Sequence, residues 1–188
     1  MSQGLLVCIV APSGGGKTTI VNELIKQLPN ATRFITSTTR APRPGEKDGV
    51  DYHFLTRSEF VYKISEGQLL EYVEYAGNFY GTDRAELEKL LVKYDYVLVA
   101  IDVKGSRSFQ TFKYPLKRIF LKPESLEVLR TRLARRPGIT EAEVERRLAP
   151  AVEEIAAAPE FDAIIINHEG RLAETIAEVK ELLTEQGK

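Results

Sequence analysis

Hydrophobic positions along the chain gather into short apolar runs separated by amphipathic stretches. Leu5–Val10 is an apolar, β-branched run closed by the turn-prone Pro12-Ser13-Gly14-Gly15-Gly16, the pattern of a fully buried parallel strand. Thr18–Leu28 then reads as a helix. Similar strand signals recur at Tyr96–Ile101, Arg118–Leu121 and Ala163–Ile166, with helical segments between or after them. Strands alternating with helices predict an α/β fold of three layers, with a central parallel sheet covered on both faces.

Two segments interrupt this plan, and both read as insertions on a single domain spanning residues 1–188. The core takes about 1–33, 84–123 and 159–188. The first insertion, about 34–83, is rich in Thr, Tyr, Gly and short alternating strands. The second, about 124–158, is rich in Arg and Glu and is expected to be helical. Within it, Thr140-Glu141-Ala142-Glu143 resembles a capping box, and Val144, Leu148, Val152 and Ile155 fall on one face. Pro150 removes a helical hydrogen bond at ~3 kcal/mol, so a kink or break is expected near Ala149.

Composition narrows the partners. The formal net charge of 188 residues is -1, which gives no reason to expect nucleic acid or an anionic membrane as a partner, so any anion site must be local. No apolar stretch approaches ~18 residues and no cleavable leader is visible, which together predict a soluble, cytoplasmic protein. Cys8, the single cysteine, sits inside the first apolar run and reads as a small buried hydrophobe.

The candidate chemistry begins where the first strand ends. Ala11-Pro12-Ser13-Gly14-Gly15-Gly16-Lys17-Thr18 matches the phosphate-binding pattern G-x-x-x-x-G-K-[ST], except that alanine replaces the first glycine. Three glycines allow successive backbone N–H groups to curl toward phosphate oxygens, and the following helix adds its positive end. Lys17 then bridges the β- and γ-phosphates of ATP, the Thr18 hydroxyl takes the Mg²⁺ ligand position, and Thr19 reaches the α-phosphate. A glycine triplet alone is often only a turn, but a strand before, a helix after and Lys-Thr at this spacing favour nucleotide binding. Ala11 fits only where the backbone φ is negative.

Thr36-Ser37-Thr38-Thr39-Arg40-Ala41-Pro42-Arg43-Pro44-Gly45-Glu46 followed by Gly49-Val50-Asp51-Tyr52-His53-Phe54 resembles the GMP-binding signature of guanylate kinases. The resemblance continues through Glu71, Gly77-Asn78-Phe79-Tyr80-Gly81-Thr82 and Ile101-Asp102, and so spans nearly the whole chain. It implies a P-loop nucleoside monophosphate kinase that makes GDP and ADP from GMP and MgATP in purine metabolism and GMP recycling, with dGMP as a further acceptor.

From the residues themselves, Arg40 and Arg43 lie in a proline-stiffened loop where two guanidinium forks can hold a phosphate dianion, with the Tyr52 and Tyr80 hydroxyls adding donors. Alone, each feature is as easily a solvated loop or a half-buried aromatic. The resemblance assigns Glu71 to the guanine edge, and the chemistry suits it, because a carboxylate accepts from guanine N1–H and N2–H₂ whereas adenine offers an acceptor and a C–H there. The resemblance also puts Thr36, Gly81, Thr82 and Asp102 in the GMP pocket. It matches Arg132, Arg136 and Arg147 to arginines of a lid, and Asn167 to an adenine contact. Departures are Ala100 where an aspartate is usual, Lys104 for a glutamine, Arg135 for a glycine and His168 for an aspartate. His53 and His168 lack partners at metal-ligand spacing.

Two rival readings remain. A scaffold domain of this type binds proteins without catalysis, and a related kinase uses a phosphorylated sugar. The intact Gly16-Lys17-Thr18 argues against the first and Glu71 with Thr36 against the second.

Overall fold

The computed structural model describes residues 3–75, 77–135 and 138–184. The chain runs through β1 (Leu5–Val10), α1 (Lys17–Gln27), β2 (Ala31–Arg33), β3 (Ser37–Thr38), β4 (His53–Phe54), α2 (Arg57–Ser65), β5 (Leu69–Tyr75) and β6 (Asn78–Asp83). It continues with α3 (Arg84–Lys93), β7 (Tyr96–Ile101), α4 (Val103–Arg107), β8 (Leu116–Pro123), α5 (Leu126–Ala134), α6 (Glu141–Ala156), β9 (Ala163–Asn167) and α7 (Leu172–Thr184).

The apolar runs become one five-stranded sheet of order β2-β7-β1-β8-β9, and every pairing in it is parallel. β1 is central, in register with β7 from Leu5↔Tyr96 to Val10↔Ile101 and with β8 from Leu6↔Leu116 to Val10↔Phe120. Because strand side chains alternate, the two faces build separate cores. Leu6, Cys8 and Val10 pack with Leu87, Leu91, Val99 and Phe120 beneath α3. Val7, Ile9 and Ala11 pack with Ile20, Leu24, Val179 and Leu183 beneath α1 and α7. This is the three-layer α/β fold expected from the alternating pattern. Cys8 is fully buried and burial pushes its thiol up, so it behaves as the hydrophobe it was read as.

A second sheet, of order β4-β3-β6-β5, forms from residues between β2 and α3. It is mixed: β3 pairs parallel with β4 and antiparallel with β6, and β5 and β6 form an antiparallel pair. Its α2 helix starts at a true capping box, with Thr56 accepting from Glu59 N–H and Glu59 accepting from Thr56 N–H, and it buries Phe60 against Phe79 at 5.3 Å between ring centroids.

α5 and α6 pack on each other through Leu129, Leu133, Val144 and Ala151. Thr140 caps α6 by accepting from Glu143 N–H, one half of the expected capping box, while the Glu143 carboxylate accepts from Arg147 instead of completing the other half. Of the kink or break expected near Ala149, the break does not occur: the helix runs continuously through Pro150, with Val144 and Leu148 on one side and Ala151 on the other packed against α5. Val152 is 55% exposed, and Ala151 takes its place on the packed stripe, as an i, i+4, i+7 spacing from Val144 requires. No helix among the described residues is long and apolar enough to cross a membrane.

Candidate active site

Between the two sheets and the α5–α6 pair lies a cleft of about 800 Å³. Its floor is the loop after β1. Gly16 caps α1 at φ 91°, a left-handed conformation that glycine adopts without strain, and no side chain caps the helix, so its first-turn N–H groups remain donors for an anion. A Cβ at Gly15 would lie 2.6 Å from the Ala11 Cβ and 3.0 Å from the Pro12 carbonyl oxygen, so the loop closes on itself at that point. Ala11 is fully buried, and Asn30 is the one non-glycine residue of positive φ among the described residues, so alanine meets the backbone requirement of its position.

Lys17 folds back over this loop, its Nζ donating to the carbonyls of Ala11 at 2.6 Å and Pro12 at 3.2 Å. Asn167, at the end of β9, donates from Nδ2 to the Gly15 carbonyl at 2.9 Å and accepts from the Thr175 hydroxyl at 3.3 Å. Its amide therefore braces the loop, a contact that the expected adenine role had not included. Arg147 on α6 donates to Glu143 at 2.6 and 3.0 Å and reaches Ser13 Oγ at 3.4 Å. Arg132 on α5 donates to Glu169 at 2.8 Å and to the Asn167 carbonyl at 3.1 Å. Ser13, Gly14, Thr18 and Thr19 also line the cleft. Arg136 lies outside the described residues.

The second sheet supplies the other wall. Thr36, Arg40, Arg43, Tyr52, Glu71, Tyr80, Gly81 and Asp102 all line the same cleft as Gly16 and Lys17. Arg40 is pre-set: its Nη2 lies 2.9 Å from both carboxylate oxygens of Glu46, its Nη1 donates to the Ala41 carbonyl at 2.7 Å, and its guanidinium sits 5.4 Å from the centre of the Tyr52 ring. The Arg43 backbone N–H donates to Glu46 at 2.7 Å, so one carboxylate organises both arginines. Burial pushes the Tyr52 phenol up, with Tyr80 adding to the effect, and the hydroxyl stays a donor.

Glu71, on β5, is 7% exposed. One oxygen accepts from the Thr82 hydroxyl at 2.7 Å, while Oε2 is buried with no hydrogen-bond partner. Burial pushes the carboxyl up from near 4.5 to about 7, against the lowering by Thr82, and Asp102 adds to the rise. Thr82 thus acts through Glu71 rather than from the cleft lining. Asp102 also caps α4, accepting from Gly105 N–H at 2.7 Å.

Among the charged residues that line the cleft, Arg33, Arg107, Glu153, Glu154 and Glu169 escaped the sequence reading, and Glu46 and Asp51 were given no role in it. Glu154 is held above its ordinary range by burial, with Lys17 opposing. Glu46 lay inside the quoted signature, but nothing in a linear pattern says which arginine it grips. Among the described residues no cluster of three or more His, Cys, Asp or Glu could hold a metal. A lone hydroxyl such as Thr18 fits a Mg²⁺ that takes its remaining ligands from nucleotide phosphates and water.

The sequence matches the family model described as guanylate kinase over residues 3–186. The chain belongs to the guanylate kinase family. It is 43% identical to a guanylate kinase of Synechocystis sp. over 165 residues, covering 88% of this chain and 86% of that one. It is 42% identical to a guanylate kinase of Rubrobacter xylanophilus over 167 residues, covering 89% and 87%. The crystal structure of guanylate kinase from Anaplasma phagocytophilum superposes with a TM-score of 0.79 at 30% identity, covering 99% of this chain and 87% of that chain. Family membership thus extends over both the glycine loop and the wall that carries Arg40, Arg43 and Glu71.

Proposed function

We propose that this chain transfers the γ-phosphoryl group of ATP to a phosphate oxygen of GMP, or of dGMP, releasing ADP and GDP or dGDP. The observation that carries the reading is one cleft holding a nucleotide-binding loop on one side and, on the other, two arginines and a buried carboxylate with an unpaired oxygen.

Residues 34–83 act as the acceptor-binding insertion and 124–158 as the lid on the remaining core. The loop from Ala11 to Gly16 cradles the ATP phosphates with its N–H groups, Lys17 exchanges its carbonyl partners for phosphate oxygens, and Thr19 contacts the α-phosphate. Asn167 stands at the adenine end while bracing Gly15. The Thr18 hydroxyl would hold a Mg²⁺ whose other ligands come from nucleotide phosphates and water, and the ion would supply charge neutralisation to the polyphosphate.

On the acceptor side Arg40, Arg43, Tyr52 and Tyr80 grip the GMP phosphate. Glu71, positioned by the Thr82 hydroxyl, accepts from guanine N1–H and N2–H₂, with Thr36, Gly81 and Asp102 completing the pocket. The attacking phosphate oxygen is already ionised near neutral pH, so no general base is required. Catalysis rests on holding two polyanions in line and stabilising the charge that develops, the task of Lys17, Arg40, Arg132, Arg136 and Arg147.

The test offers GMP, dGMP, AMP and ribose phosphates in parallel with MgATP and follows ADP release, with Lys17→Ala as control. GMP and dGMP are expected as acceptors and AMP as a poor one. Release no faster than the control would return the chain to the scaffold reading, and preference for a ribose phosphate would make it a sugar-phosphate kinase.

A further inference from the structure

Arg33 ends β2, next to β7 in the main sheet, and its side chain reaches across into the acceptor side of the cleft. It donates from Nη2 to the Asp51 carbonyl at 3.2 Å, while its Nε is buried with no hydrogen-bond partner. Its charge acts on the Tyr52 hydroxyl, as does that of Arg40. Arg33 therefore sits at the same end of the cleft as the arginine pair, but it arrives from the rigid parallel sheet rather than from the proline-stiffened loop.

The charge balance of that end explains why this matters. Arg40 and Arg43 face Glu46, which grips Arg40, and Asp51, which lines the same wall. Of the two loop arginines, Arg40 is already paired with a carboxylate, so Arg33 adds a further guanidinium at the end of the cleft where the phosphate of an acceptor would lie. An unpaired N–H in a partly buried guanidinium also carries a desolvation penalty that a phosphate oxygen would relieve.

We infer that Arg33 is a third phosphate-binding residue of the acceptor site, donating to the phosphate of the bound nucleoside monophosphate. This rests on the reading of the cleft as a GMP site. The bland alternative is a structural pin, in which Arg33 merely fastens the loop at Asp51. The two differ in what they require of the ligand: a phosphate contact is lost only by ligands that have a phosphate, whereas a loosened loop disturbs the whole pocket.

The experiment measures binding of GMP and of guanosine by calorimetry to the wild-type protein, Arg33→Ala, Arg33→Lys and Arg33→Gln. Gln keeps an N–H donor for the Asp51 carbonyl without the charge, so it remains informative if Arg33→Ala does not fold. Arg33→Ala and Arg33→Gln are expected to weaken GMP about tenfold or more, leave guanosine unchanged, and be partly restored by Lys. Parallel losses for both ligands, or no loss for either, would overturn the assignment and leave Arg33 as a pin. A wild-type protein that binds GMP no more tightly than guanosine would instead overturn the GMP site itself, and the inference with it.

Discussion

At the scale of single residues, Glu71 carries the sharpest consequence. Its folded pKa of about 7 lies above the ordinary value near 4.5, so the group favours the folded state fully below pH 4.5 and loses that contribution as pH rises through 7. Above neutrality the ligand-free protein keeps a carboxylate in a pocket that disfavours it. Glu71→Gln is therefore expected to raise the melting temperature relative to wild type at pH 8, by the equivalent of up to about 3 kcal/mol, with the gain shrinking toward pH 5. Thermal unfolding at both pH values measures it. The proposed guanine contact pulls the other way, since it calls for the ionised form: in the wild type the KM for GMP should climb as pH falls below 7, while Glu71→Gln should show a high KM with a weaker slope.

Glu46 supplies a second residue-scale case. It holds Arg40 by both oxygens in a part-buried setting where the contact resists screening, and it also accepts from the exposed Arg43 backbone N–H. Glu46→Ala should raise the KM for GMP about tenfold and leave the KM for ATP within twofold, because it disorganises one wall only. Steady-state kinetics with each nucleotide varied in turn checks this, and equal effects on both substrates would count against it.

Among elements, the loop between β1 and α1 shows how a substitution in the motif propagates. Ala11 occupies space that a glycine would leave open, and the Cβ of any residue at 15 would collide with it at 2.6 Å. Gly15→Ala should thus lower ATP affinity by about tenfold or more, as measured by nucleotide titration, and Ala11→Gly added to it should restore part of the loss. The Pro12 carbonyl, 3.0 Å from the same point, limits the rescue.

Elements also show what the linear pattern could and could not reveal. β1 and β7 appear where apolar runs place them, since a strand buried on both faces must be apolar throughout, and β9 appears there too although, at the sheet edge, it leaves Ile164 and Ile166 exposed. The loop was legible because its chemistry is local, with the lysine and threonine adjacent to the glycines that need them. Pro150 does not break α6, because the packing of both halves of the helix overrides the residue's own propensity. The bond from Asn167 to Gly15 joins residues 152 positions apart and that from Arg147 to Ser13 residues 134 apart, separations at which neither periodicity nor spacing carries information. Arg33 was invisible for the same reason: at the end of a three-residue strand it looks like any solvated arginine.

Across the whole molecule, the net charge of -1 hides a concentration of arginines in one cleft. No bulk field draws nucleotides in, so binding depends on short-range contacts at the site. Raising KCl from about 50 to about 500 mM should increase the KM for both nucleotides a few-fold through screening, while the unfolding midpoint, set by the two apolar cores, moves little. Kinetics and calorimetry across the same salt series separate the two effects.

Arg132 and Arg147 each rest on a tethered carboxylate, Glu169 and Glu143 respectively. Each of these internal counter-ions competes for its arginine at the high effective concentration that covalent attachment gives. A free orthophosphate ion has to displace them with nothing else to hold it. A nucleotide arrives already anchored by its base and displaces them with that help, so the cleft discriminates against stray inorganic anions without any group devoted to excluding them.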